Sequence, residues 1–189
     1  MDIPVYLFAG FLDGGKTTFI NGILQDGFAL RERTLLICCE EGAEEYDPKA
    51  LDNVTVVTVD EEAELNRFFL KQCEKKYRPR QVLVEFNGMW SLGRFYQDAL
   101  PNNWVLYQIM TMVEASTFDV YAKNLGQLMM EKITNADAFV LSYGGCAVFL
   151  PLRLRRTAAR RHGNGGKGRQ GHRALHESGR PWHRSAQQT

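Results

Sequence analysis

The chain has 189 residues, 44% of them hydrophobic and 24% charged, and a formal net charge of only +1. That small total hides an uneven distribution: 10 of the 23 Lys and Arg lie beyond residue 150, where Glu177 is the one acid, so an acidic segment 1–150 is joined to a basic segment 151–189. Four cysteines at positions 38, 39, 73 and 146 form no Cys-x-x-Cys pair and no secretory leader pattern opens the chain, which excludes a disulfide scaffold and indicates a reduced, cytoplasmic protein. The longest apolar run, 136–152, is broken by Asp137, Tyr143, Gly144 and Gly145 and is shorter than the ~20 residues that span a bilayer, so no membrane partner is expected.

In chain order, Ile3 to Ala9 reads as a strand, and Phe19, Ile20, Ile23 and Leu24 recur at helical spacing soon after it. Thr34 to Cys39 and Val54 to Val59 read as short buried strands, separated by an acidic loop holding Glu40, Glu41, Glu44, Glu45 and Asp47. Residues 61–77 then predict a helix with Leu65, Phe68, Phe69, Cys73 and Tyr77 on its apolar face, stopping before Arg78-Pro79. Strands at Gln81 to Phe86, Trp104 to Val113 and Asp137 to Leu141 alternate with helices near Ser91 to Leu100 and Thr117 to Ile133. This rhythm predicts an α/β fold, a mostly parallel sheet with helices on both faces in three layers. Residues 1–150 can bury roughly 70% of their unfolded surface, enough for one domain. Residues 151–189 cannot: beyond Leu154 only Leu175 and Trp182 are large and apolar, and the composition predicts a disordered basic tail.

Between the first strand and the first helix lies Gly10-Phe11-Leu12-Asp13-Gly14-Gly15-Lys16-Thr17-Thr18, which satisfies Gly-x-x-x-x-Gly-Lys-Thr in the strand-loop-helix context that gives the motif meaning. Gly10, Gly14 and Gly15 permit positive φ and close approach of backbone amides to phosphate oxygens. Lys16 would reach the β and γ phosphates, Thr17 would offer its hydroxyl to Mg²⁺, and the positive end of the helix would face the same charge. The chain is thus expected to be a P-loop nucleotide-binding protein. A second glycine pattern, Gly163-Asn164-Gly165-Gly166-Lys167-Gly168, has neither strand before it nor helix after it and is a compositional accident. The four histidines, at 162, 172, 176 and 183, are spaced irregularly and read as solvated side chains, and nucleic-acid binding through the tail arginines is a minor alternative.

Taken together, GFLDGGKTT, ICCEEGAEEYD, VLVEFNGMW and VEASTF resemble the ordered motifs of the CobW/HypB/UreG group of GTPases over about residues 3–141. In that group's terms the first motif is the phosphate loop, so Gly10, Asp13, Gly14, Gly15, Lys16, Thr17 and Thr18 are implied to bind nucleotide. Glu40, Gly42 and Asp47 fall in the first switch segment, and Glu85 to Gly88 match the second. The resemblance implies that the Gly88 amide senses the γ-phosphate and that Glu85 acts near Mg²⁺ or the attacking water. Glu114 stands at the Asp position of the usual Val-Asp-Ala. Members are GTP-driven metallochaperones, which implies GTP hydrolysis with Mg²⁺, a metalloprotein client, and the handling of a transition metal such as Zn²⁺ or Co²⁺.

The sequence departs from the group at two places. No Cys-x-Cys-Cys occurs, leaving Cys38 and Cys39 beside Glu40 and Glu41 as the nearby ligand types that Zn²⁺ accepts. Adjacent strand residues point to opposite faces, so both thiols reach one ion only if the strand ends between them; otherwise Cys38 is core and Cys39 lines the nucleotide pocket. After Leu141 the chain reads Ser142-Tyr143-Gly144-Gly145 where the group has Asn-Lys-x-Asp, the carboxylate that reads guanine. A missing base contact of that kind can cost as much as ~10⁴-fold in discrimination, so ATP stands beside GTP as the ligand. The resemblance stops where the composition changes, as in a shifted frame or a truncated gene. Three functions follow: a GTP hydrolase with Lys16, Glu40 and Glu85 in catalytic roles, a P-loop kinase-type phosphotransferase, or a nucleotide-binding module without turnover.

Overall fold

The computed structural model describes residues 2–40, 45–46, 51–143, 146–151 and 182–183. Three strands, β1 (Ile3–Ala9), β2 (Thr34–Cys38) and a later one at Gln81–Glu85, are buried along their whole length. Helices cover both faces of such parallel strands, which is why each reads as an unbroken apolar run rather than an alternation. With β3 (Val54–Thr58), β4 (Gln81–Glu85), β5 (Trp104–Glu114), β6 (Ala138–Tyr143), β7 (Cys146–Pro151) and β8 (Trp182–His183), they form one sheet in the order β3-β2-β4-β1-β5-β6-β7-β8. Pairing is parallel from β3 through β6 and antiparallel for β6 with β7 and β7 with β8.

Alternate residues of the strands feed two separate cores. Tyr6, Phe8, Leu36, Leu83 and Met110 meet Phe19, Ile20, Ile23 and Leu24 of α1 (Lys16–Gln25). Val5, Leu7, Leu35 and Val84 on the other face meet Leu70 and Cys73 of α2 (Arg67–Tyr77), Leu92 of α3 (Leu92–Arg94) and Phe95 of the π-helical turn Phe95–Ala99 that continues it. Beyond them lie α4 (Phe118–Asn124) and α5 (Gly126–Asn135), and α5 is tied to β5 where the Thr111 hydroxyl donates to the Lys132 carbonyl at 3.0 Å. The expected three layers are present.

After β1 the chain crosses to β2 on one side, whereas after β4 it crosses β1 to reach β5 on the other. Neighbouring strands whose connections diverge leave a crevice at their carboxyl ends, the usual ligand position in an open α/β sheet. Gly10 to Gly15 and Phe86 to Trp90 follow those two ends.

Several expectations need correction. The strand at 54–58 is a half-exposed edge rather than a buried strand. The helix expected over 61–77 begins at Arg67, because the Asn66 side chain accepts the Phe69 N–H at 3.0 Å and caps it there. This sets its phase: Leu70 goes to the core and Phe68, expected inside, is 73% exposed. The helix expected over 117–133 is divided at Leu125, and the one at 91–100 closes with a Leu100 N–H to Phe95 carbonyl bond five residues back. Beyond Leu141 the chain continues into a hairpin, with Tyr143 opposite Cys146 and Leu141 opposite Val148. Among the described residues the tail pairs Trp182 with Ala147 and His183 with Cys146, and its expected disorder otherwise concerns 152–181 and 184–189, outside the described residues. No helix among the described residues is long and apolar enough to cross a membrane.

Candidate phosphate-binding site

The loop from Gly10 to Gly15 turns at two of its three glycines, whereas Gly14, expected to share a positive φ, is placed instead where a Cβ would stand 3.0 Å from the Phe11 carbonyl oxygen. Gly10 has φ 140° and Gly15 φ 82°, both in the region that side chains resist, and Asp13 takes φ 60° at the exposed tip. The Gly14 N–H closes the turn onto the Phe11 carbonyl at 3.1 Å, and the first α1 bond runs from the Phe19 N–H to the Gly15 carbonyl at 3.0 Å. The amides of Lys16 and Thr17 precede that bond, so helix geometry leaves them pointing out of the amino end of α1, where an anion is favoured. Thr18 lies half-buried on the same first turn.

Lys16 does not extend into solvent. Its side chain is 3% exposed, and its ammonium donates to the carbonyls of Gly10 at 3.0 Å and Phe11 at 2.8 Å and pairs with the Glu40 carboxylate at 2.5 Å. The Glu40 carboxylate also accepts from the Gly88 N–H at 3.5 Å. Sequence reading assigned Lys16, Glu40 and Gly88 to one site from three separate motifs, and the fold brings them together.

A second carboxylate stands beside them. Glu85 ends β4 with its side chain on the α1 face, 3% exposed, and accepts from the Thr17 hydroxyl at 2.6 Å. Its other oxygen accepts from the Tyr46 hydroxyl. Burial raises the Glu85 pKa, opposed by the two hydroxyl donors and by the Lys16 charge. Tyr46 is itself raised, by burial first and then by the Glu85 charge. The pair Thr17 and Glu85 supplies a hydroxyl and a carboxylate at the start of a helix, the hard oxygen donors that Mg²⁺ takes.

Gly88 is packed against the loop. A Cβ built there would stand 2.6 Å from the Gly10 carbonyl oxygen and 2.7 Å from the Phe11 Cα, both backbone atoms with no room to yield. Gly88→Ala is therefore expected to cost about 1–3 kcal/mol by forced displacement of the loop. Urea unfolding checks this, and a midpoint like the parent's would show that Gly88 is not wedged.

The two cysteines are not brought to one point. Cys38 lies in the α1-side core and Cys39 in the opposite core, so Cys39 does not line the pocket either. Burial pushes the Cys38 thiol up to about 12, with the Glu85 charge adding to it, and burial likewise raises Cys39. The two side chains lie on opposite faces of the sheet, so they do not converge on one Zn²⁺ or Co²⁺ ion. Among the described residues no group of three His, Cys, Asp or Glu could hold a metal ion. Gly42 and Asp47, expected in the first switch, lie outside the described residues. Glu114 bonds to Ser142 at 2.6 Å and Ser116 at 3.0 Å at the end of β5.

Three participants had no sequence signal of their own. Tyr46 is the lone aromatic of an acidic loop, Tyr121 of α4 stacks on Phe11 at 4.4 Å, and buried Lys132 donates to the Trp90 carbonyl at 2.8 Å, holding the 86–90 segment. No protein-family model matches this sequence, and no curated protein is found similar to it.

Proposed function

We propose that the chain is a P-loop nucleotide switch that binds a purine nucleoside triphosphate and hydrolyses it. The observation that carries this reading is the convergence of the loop amides, Lys16, Thr17 and Glu85 at the carboxyl ends of β1 and β4. The amides of Lys16 and Thr17 and the Lys16 ammonium suit the phosphates, while the Thr17 hydroxyl and Glu85 suit Mg²⁺. When bound, Mg²⁺ offsets charge on the phosphoryl oxygens. Catalysis then rests on positioning and preorganised charge, which a buried lysine and a carboxylate clamped by two hydroxyls provide. GTP is preferred on the strength of the resemblance to the CobW/HypB/UreG group, which also supports coupling to metal delivery for a client protein; the cysteine usage of the sequence supports a cytoplasmic location.

Calorimetric titration with GTP and with ATP, each with Mg²⁺ and with or without Zn²⁺ or Co²⁺, tests this together with a phosphate-release assay. GTP is expected to give binding heat and slow release. Heat without release would favour a binding module, and no heat with either triphosphate would end the proposal.

A further inference from the structure

An ammonium has three donors, and those of Lys16 are all engaged: two on the Gly10 and Phe11 carbonyls and one on Glu40. No donor is left for an added oxyanion unless one of these partners withdraws. The two carbonyls belong to the backbone of the loop itself, whereas Glu40 reaches Lys16 through side-chain torsions alone, so Glu40 is the partner that can leave without moving the backbone. Its carboxylate holds the Gly88 amide as well. A single internal anion thus spans the cation and the amide that an incoming terminal phosphate would use.

We infer that Glu40 is a built-in competitor for the phosphate site, a latch that lies across Lys16 and Gly88 and that a nucleoside triphosphate must displace. This rests on the nucleotide-binding reading above. The Coulombic logic is an exchange: one carboxylate leaves Lys16 and a more highly charged phosphate replaces it, so the net gain on binding is reduced by the strength of the pair that breaks. The released Glu40 is then available on the same loop to orient water. One residue would hold the site closed in one arrangement and serve turnover in the other.

The latch also sets a threshold for ligand charge. Monoanions gain too little to displace a carboxylate paired at 2.5 Å, whereas a triphosphate presents several charges to Lys16, Gly88 and the α1 terminus together. Removing Glu40 is expected to relax this preference, improving pyrophosphate and diphosphate affinity as well as that of triphosphate.

Glu40→Gln keeps the shape and removes the charge, and Glu40→Ala removes the partner entirely. Binding of a non-hydrolysable GTP analogue, of GDP and of inorganic pyrophosphate, each with Mg²⁺, is measured by calorimetry for the parent and both variants, with circular dichroism as the folding check. The expected result is affinity about tenfold tighter in the variants for the GTP analogue, together with slower phosphate release from GTP. Equal or weaker affinity in folded variants of a parent that binds would overturn the latch and leave the nucleotide site standing. Failure of the parent and both variants to bind any of the three ligands would overturn both. If Glu40→Gln does not fold, Glu40→Ala decides, and a wild-type association rate that stays linear to high ligand concentration, with no plateau from latch opening, would overturn the proposal without either variant.

Discussion

Lys16→Met is expected to abolish nucleotide binding and, in addition, to cost about 3 kcal/mol of stability, because it breaks a pair whose members are 3% and 12% exposed and strands Glu40 without its partner. The two losses have different origins and separate cleanly. In the double variant Lys16→Met/Glu40→Gln the uncompensated carboxylate is gone, so most of the stability should return, while the cation needed by phosphate is still missing. Chemical denaturation and calorimetry on the parent, both single variants and the double variant complete the cycle. Recovered nucleotide binding in the double variant would show that Lys16 does not grip phosphate, and the functional assignment would fall with it.

Glu85→Gln is expected to move stability and activity in opposite directions. The raised pKa of Glu85 means that folding favours its protonated form. Below the ordinary glutamate value of 4.5 both folded and unfolded chains carry the proton and the residue is neutral in the balance. As pH climbs through that value the unfolded chain ionises first, the native state binds more protons, and stability falls until the native carboxyl has ionised too. Once both states are ionised the full cost is present, and the glutamine variant, whose carbonyl keeps an acceptor for Thr17, escapes it. A gain of about 1 kcal/mol is expected near pH 7.5, shrinking toward nothing near pH 4. Phosphate release should fall by about 100-fold or more, since the acidic oxygen beside Thr17 is lost. Thermal unfolding at the two pH values, paired with the release assay, checks both halves. A variant less stable than its parent at neutral pH would mean that the hydroxyl bonds outweigh burial.

The turn of the 10–15 loop could be read from sequence because its glycines answer a local demand: Gly10 and Gly15 sit at positive φ values that side chains resist. β1, β2 and β4 were equally legible, being apolar on both faces. The phase of α2 was not, since it turns on one asparagine cap at position 66 rather than on the apolar pattern, and that pattern placed Phe68 where Leu70 belongs. β7 escaped notice because an antiparallel return near the end of the sheet has one half-exposed face, with Val148 and Leu150 open to solvent, and so lacks the continuous burial signal of the central strands. In the site, Glu40 and Glu85 were found through a resemblance, whereas Tyr46 could only be found in space. Nothing in a run of acids says that its tyrosine reaches thirty-nine positions down the chain. The cysteine question shows the reverse: the alternation of a strand predicts that neighbours diverge, and Cys38 and Cys39 do.

The parallel ladder aligns Phe8 with Glu85 and Cys38 with Glu85, so the acid's bearing is fixed by hydrogen bonds between backbones rather than by anything in the glycine loop. Slippage by a single rung would swing that carboxylate through the sheet to the α2 layer, out of reach of Thr17. Substitutions deep in the interior, at Leu7 or Leu83, therefore act as adjustments to the aim of an oxygen atom several residues away. Damage to the hydrophobic centre should be felt at the Thr17–Glu85 contact as well as in stability.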